Sequence, residues 1–321
     1  MASERTQPGI GVGTWAWGNQ FLWGYQPERD DAVLAATFQR CLERRLLFFD
    51  TADSYGTGRF NGRSESLLGR FALQASAEQR QQLCIATKLA PFPWRLGRRG
   101  YRRAFAASQA RLQGQMRRVQ LHWSTARYAP WQEGPLLDGL ADLVREGAVE
   151  SLGVSNVGPQ RLRQLHQRLA DQGVRLSSLQ VQLSLLAPQP LEPGGVAQVC
   201  RELGIELIAY SPLALGLLAG SRPQTAARRS LFRRLEPQLE SLHGTMDAIA
   251  ANRPGGRAAV ALNWCRAHGA MPIPGLRTPQ QVEATASALG WTLSADERQA
   301  LDAHAQRPGA PRMPANPFQS A

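Results

Sequence analysis

The chain has 321 residues, with 37 Lys+Arg against 25 Asp+Glu and a formal net charge of +12. Hydrophobic residues make up 43% and aromatics 7%, which is too apolar for a disordered chain and ordinary for one or two globular domains. The first nine residues are polar, so no secretory signal is expected, and the longest apolar run, Leu207 to Ala219, is broken by Pro212 and too short to span a bilayer.

Short apolar runs and helical patterns alternate along the chain. Gly9–Thr14 reads as a strand, Glu28–Arg44 as a helix, Leu46–Asp50 as a strand and Ser64–Leu73 as a helix. Strand Leu83–Thr87, helix Gly100–Gln113, strand Val119–His122 and helix Pro135–Glu146 follow. Then come strand Val149–Val154, helix Pro159–Gln172, strand Leu179–Leu183 and helix Gly194–Leu203. The last units are strand Glu206–Tyr210, helix Arg257–Ala267, strand Met271–Ile273 and helix Pro279–Ala288. Strands such as LCIAT and IELIAY are almost wholly apolar, as in a parallel sheet covered by helices. Eight strand-then-helix units predict an α/β fold, a single-domain (β/α)8 TIM barrel with its core over about 9–290. The Arg-, Pro- and Ala-rich segment Ser221–Gly256, with helical stretches such as Leu231–Leu242, reads as a lid-like insertion after strand 7. A C-terminal helix and a Pro-rich, irregular tail are expected over 291–321.

Two nucleotide-binding alternatives fail on spacing. Gly9, Gly11 and Gly13 follow no strand and lack the third glycine of a G-x-G-x-x-G turn. A short-chain dehydrogenase would need Tyr four residues before its Lys, where this chain has Cys84. Cys41, Cys84, Cys200 and Cys265 share no C-x-x-C spacing, so no disulfide framework and no metal are expected, and a cytoplasmic location is. All basic residues but one are arginine, so the charge reflects an arginine bias and implies neither nucleic-acid nor membrane partners. The densest run, Arg95–Arg103, reads as a solvated loop and helix start. The exception, Lys88, marks a place where a compact ammonium is needed and a planar fork does not substitute.

Barrel chemistry sits at the C-terminal ends of strands. There the sequence places Asp50, Lys88 and His122 on three successive strand tips, with Tyr55 on the loop after the second. A lysine ammonium beside a phenol lowers its pKa, Asp50 can hold that lysine charged, and His122 can orient a carbonyl oxygen. This set suits proton delivery to a carbonyl.

The pieces GIGVGTWAWG, FFDTADSYG, GRSESLLGR, ATKLAP, LHW, LGVSNV, LQVQLSLL, AYSPLALGLLAG and PIPGLRTPQQVE, in this order, resemble the aldo-keto reductase family over nearly the whole chain. FLWGY and WAWG resemble a bacterial and plastid branch related to pyridoxal reductases. The resemblance implies NADPH-dependent reduction of an aldehyde or ketone to an alcohol, with catalytic Asp50, Tyr55, Lys88 and His122 and with Tyr55 as the proton donor. It implies NADPH/NADP+ as cofactor, with NADH weaker, and contacts from Gly13, Thr14, Trp15 and Asp50. Ser155, Asn156 and Gln180 would hold the nicotinamide carboxamide, and Tyr210 would stack on the ring. Ser211, Pro212, Leu213, Gly216 and Leu218 would cradle the pyrophosphate, and Gly275, Arg277 and Gln281 the adenosine phosphate. Ala284 and Thr285 stand where the family commonly has a Glu-Asn pair against adenine, and Ser221 where it commonly has Lys. Trp17, Trp23, Trp94 and Trp123 follow strand ends and are expected around a small-molecule carbonyl substrate. The alternative is a cofactor-binding, redox-sensing partner protein with little turnover; the oligomeric state is not encoded in these patterns.

Overall fold

The computed structural model describes residues 7, 9–317 and 319; the ends of the expected 1–321 domain that fall at 1–6, 8, 318, 320 and 321 lie outside the described residues. Eight strands form one sheet in the order β1 to β8: Val12–Gly13, Phe48–Asp50, Cys84–Leu89, Met116–Leu121, Ser151–Ser155, Leu176–Gln182, Glu206–Tyr210 and Ala270–Ile273. Every neighbouring pair is parallel. The sheet closes on itself through a parallel bridge between Gly13 and Gly275, backed by Gly11 N–H to the Pro272 carbonyl at 3.0 Å. This seam needs glycine. A Cβ at Gly11 would lie 2.6 Å from the Phe48 ring, and one at Gly13 would lie 2.8 Å from the Ile273 carbonyl oxygen.

Helices α1 (Gln20–Trp23), α2 (Pro27–Glu43), α3 (Arg63–Gln74), α4 (Ala77–Gln82) and α5 (Arg102–Arg111) cover the first half. Helices α6 (Pro130–Arg145), α7 (Pro159–Ala170) and α8 (Val196–Leu203) continue the ring, and α11 (Gly256–Ala267) and α12 (Pro279–Ser287) close it. Their apolar faces and the strands' outer faces make one core that includes Leu34, Phe38, Leu67, Leu140, Leu165 and Trp264. The barrel expected from the sequence is the fold observed.

Two boundaries differ for local reasons. The sequence pattern places α6 at Pro135–Glu146, yet the helix starts at Pro130 and keeps Pro135 inside it. There a proline gives up its N–H bond and crowds the carbonyl four residues back, a cost the helix carries near its start. The segment after β7 is two helices, α9 (Ala226–Leu235) and α10 (Glu240–Ala250), split by a 3-10 turn carrying Pro237, and not one stretch over Leu231–Leu242. Helix α13 (Ala295–Gln306) opens with a Ser294/Glu297 capping box, and residues 307–317 beyond it hold no regular element.

Candidate active site

The C-terminal ends of the strands surround a cavity of about 1590 Å³ whose lining includes Asp50, Tyr55, Lys88 and His122. Lys88 is 1% exposed; its ammonium donates to Asp50 Oδ2 at 2.5 Å and to the Thr51 carbonyl at 2.9 Å. The other carboxylate oxygen, Oδ1, accepts from Gln120 Nε2 at 3.1 Å and Gln180 Nε2 at 2.7 Å. A buried ion pair of this kind survives because its remaining lone pairs are filled. Lys88 Nζ also lies 4.8 Å from the centre of the Tyr55 ring. The Tyr55 ring in turn meets His122 edge-on at 5.9 Å, and His122 Nδ1 is 3.5 Å from Ser54 Oγ.

The electrostatics depart from the simple expectation of a lysine-acidified phenol. Burial pushes the Tyr55 phenol well above its usual value, and the Asp50 carboxylate adds to the rise. Lys88 is paired with that carboxylate, so little net positive charge remains to favour a phenolate. Burial also pulls the Lys88 ammonium down against the opposing pull of Asp50. His122 is held well below its usual value by burial, with Lys88 and Arg95 pushing the same way. At neutral pH the site therefore presents a protonated phenol beside a neutral imidazole.

Next to this group lie Ser155, Asn156, Gln180 and Tyr210. Asn156 sits in left-handed backbone (φ 60°), and its Nδ2 donates to the His122 carbonyl and to Ser155 Oγ, both at 3.1 Å. Gln180 commits its amide N–H to Asp50, leaving its oxygen as the acceptor that a ligand could reach. The Tyr210 hydroxyl donates to Asn156 Oδ1 at 2.9 Å. Beyond it the chain turns through four left-handed residues, Ser211, Ala214, Leu215 and Gly216. Non-glycine residues adopt this backbone at a cost and concentrate where a loop clamps a ligand. Ser211, Pro212, Leu213 and Gly216 line the cavity.

The far end is cationic. Arg277, two residues ahead of α12, and Arg228, on α9, both line the cavity, and Trp23 lies 5.9 and 4.4 Å from their guanidinium carbons. Arg228 is 5% exposed, donates to the Leu215 carbonyl at 2.8 Å, and leaves its Nε without a partner. No carboxylate lies within 4 Å of it among the described residues. Burial and the facing Arg277 pull its pKa down. A buried guanidinium with an unused Nε–H beside a second guanidinium fits a bound anionic group such as a phosphate. Gln281 Oε1 accepts from the Arg277 N–H at 2.7 Å, and Thr278 Oγ1 accepts from the Gln281 N–H at 3.3 Å. Thr225, just ahead of α9, ties the segment across the cavity by donating to the Leu22 carbonyl at 2.9 Å.

Some expected site residues lie elsewhere. Trp17 is fully buried in the core, its Nε1 donating to the Leu276 carbonyl at 2.8 Å, so it walls no pocket. Trp94 is 73% exposed and stacked on Phe92 at 4.8 Å, outside the cavity lining. Thr14 faces Ser64 and the Asp50 carbonyl, and Leu218 is buried behind its loop. Trp23 lines the arginine end instead of the catalytic end, whereas Trp15 and Trp123 line the cavity with Gly13, Gly275 and Gln281. The basic run Arg95–Arg103 is largely paired within the chain: Arg95 with Asp53, Arg98 with Asp142, Arg102 with Glu146. Sequence reading missed Gln120, Arg228, Asp30 and Asn316. Of these only Gln120 had a signal, since it stands two residues before His122 and strand alternation puts both on one face.

Among the described residues no cluster suited to a metal ion occurs and no helix is long and apolar enough to cross a membrane. A family model for aldo/keto reductases matches residues 9–306. The chloroplastic pyridoxal reductase of Arabidopsis thaliana is 46% identical over 97% of this chain and 86% of that one. The 6-dehydroglucose reductase of Novosphingobium aromaticivorans is 32% identical, with 88% of each chain covered. A solved aldo-keto reductase from Klebsiella pneumoniae, in complex with NADPH, superposes with a TM-score of 0.72 at 25% identity over 96% of this chain and 95% of that one. The glycerol dehydrogenase of Gluconobacter oxydans reaches 0.76 at 23% identity, covering 99% of both chains, a likeness of fold alone. With the family match running from the first strand to the last helix, the chain belongs to the aldo/keto reductase family.

Proposed function

We propose that this protein reduces an aldehyde carried on an aromatic ring to the corresponding alcohol, using NADPH. The chain is an NAD(P)H-dependent oxidoreductase by family. The carrying observation is the meeting of Tyr55, His122 and a Lys88–Asp50 pair at one mouth of the cavity. When bound, the cofactor supplies a hydride to the carbonyl carbon. The residues deal with the oxygen. His122, neutral, donates one N–H to it and fixes its direction. Tyr55 gives it the phenol proton as negative charge grows there, a transfer that runs downhill because an alkoxide is a stronger base than a phenolate. Lys88, 4.8 Å from the ring but paired with Asp50, offsets only part of the phenolate's charge, so the phenolate readily takes its proton back from solvent. Asp50, held by Gln120 and Gln180, keeps the ammonium in place.

Asn156, Ser155, Gln180 and Tyr210 would hold the nicotinamide, the Ser211–Gly216 loop the pyrophosphate, and Arg277 with Arg228 the adenosine phosphate. Segment 221–256 would act as the strap over that groove, given the Thr225–Leu22 bond. Phe92 and Trp123 offer an aromatic wall beside His122 that suits a flat ring. The pyridoxal reductase resemblance supports an aldehyde of that shape. Four unpaired cysteines and intramolecularly paired arginines support a cytosolic enzyme with no polyanionic partner.

The test is NADPH consumption with a panel of aromatic and aliphatic aldehydes, run on wild type and Tyr55→Phe. Aromatic aldehydes should turn over fastest, and Tyr55→Phe should lose about 10²- to 10⁴-fold in rate while still binding NADPH. Undiminished turnover in Tyr55→Phe would refute the assignment.

A further inference from the structure

The C-terminal tail crosses the mouth of the barrel, with Met313, Ala315 and Asn316 among the lining residues. It is pinned by Met313, whose side chain is buried and whose N–H donates to the Leu186 carbonyl at 2.9 Å. Three residues on, Asn316 turns into the site. Its Nδ2 donates to the Tyr210 hydroxyl at 2.6 Å and to Asn156 Oδ1 at 3.1 Å. Asn156 has no freedom to turn away, because its own Nδ2 is spent on the His122 carbonyl and Ser155 Oγ. Its Oδ1 is therefore an acceptor presented to the cavity, and a primary carboxamide from the tail meets it. The nicotinamide ring carries the same planar group.

We propose that Asn316 is the resident ligand of this carboxamide site, and that the nicotinamide must displace it to bind. This rests on the assignment of Asn156 and Tyr210 to the nicotinamide given above. The tail and the cofactor then compete for one acceptor. Observed affinity becomes the intrinsic affinity reduced by the fraction of molecules whose tail has withdrawn. A carboxamide tethered three residues from its anchor is present at high effective concentration, so that fraction is small. Removing the two donors while keeping the Met313 anchor shifts the balance toward the open site without dismantling the tail.

The experiment measures NADPH binding to the full chain by quenching of tryptophan fluorescence, at equilibrium and in stopped flow. Wild type, Asn316→Ala, Asn316→Asp and Asn156→Ala are compared. Asn316→Ala and Asn316→Asp should each bind NADPH about five- to tenfold more tightly, as loss of two modest hydrogen bonds implies. The observed association rate should level off with NADPH concentration in wild type, limited by tail release, and keep rising in both variants. Unchanged or weaker binding in both Asn316 variants overturns the proposal. Asn156→Ala is also made in the Asn316→Ala background, where the tail no longer competes. If it weakens NADPH binding there while the Asn316 variants bind as wild type does, only the tail's role falls. If it leaves NADPH binding unchanged there, the nicotinamide assignment falls and the competition with it.

Discussion

Asp30, near the start of α2, stands 3.9 Å from Arg277 across the cofactor groove, although no acidic residue occurs near Arg277 in sequence. A guanidinium alone favours a 2′-phosphate, while a carboxylate beside it opposes one and draws the arginine away. Two unit charges at 3.9 Å interact by about 4 kcal/mol at an effective dielectric of 20. Most of that is already spent, since Arg29 Nε and Nη2 each bond Asp30 at 2.8 Å and the groove is open to solvent. About 1 kcal/mol should survive, which is about fivefold in affinity. Asp30→Asn is therefore expected to tighten NADPH about fivefold and leave NADH nearly unchanged. The amide can still accept from the Gln26 N–H, which Asp30 Oδ2 does at 2.9 Å, so the α2 cap is kept. Arg277→Ala should cost NADPH about tenfold or more and leave NADH alone. In the double variant the Asp30→Asn gain should shrink, because its target is gone. Fluorescence titration of both cofactors against the four proteins gives every number. A gain shared equally by NADH, or one that persists in the double variant, would refute a phosphate-directed interaction between these residues.

Lys88→Arg should abolish most turnover although the charge is kept. The larger guanidinium must enter a site that is 1% exposed and filled by Asp50 and Thr51, at an overpacking cost of about 1–3 kcal/mol visible as a lower Tm. Wild-type turnover with an unchanged Tm would make the lone lysine incidental. The pH profile of kcat should lack an inflection near the ordinary histidine value, since His122 is held neutral to well below it. Its alkaline limb should lie above the ordinary tyrosine value, because a raised phenol keeps its proton until higher pH. A rate profile centred on the ordinary histidine value, in steady-state assays from acid to alkaline buffers, would contradict both.

The strand tips were legible because a barrel brings successive strand ends together whatever the loops do, so Asp50, Lys88 and His122 needed only their places in the alternation. Side-chain direction after a strand was not. Trp17 and Trp123 both follow strand ends, yet one is anchored in the core by Leu276 and the other faces the cavity. Pro135 misled for a related reason, since a proline one turn into a helix looks the same in sequence as one that begins it. Arg228 and Asn316 come from segments without a periodic pattern, and Asp30 meets Arg277 only once the first helix of the ring packs beside the last. The environment of Tyr55 was equally hidden: residue types gave the cation, and only packing gave the burial that outweighs it.

The glycine seam between β1 and β8 joins residues near the two ends of the chain. Gly275 is made long after Gly11 and Gly13, so any sheet that forms before it is made has β1 and its other end unpaired. Such edges recruit other chains. A chain that ends before β8 therefore carries β1 to β7 with no strand to join them into a ring.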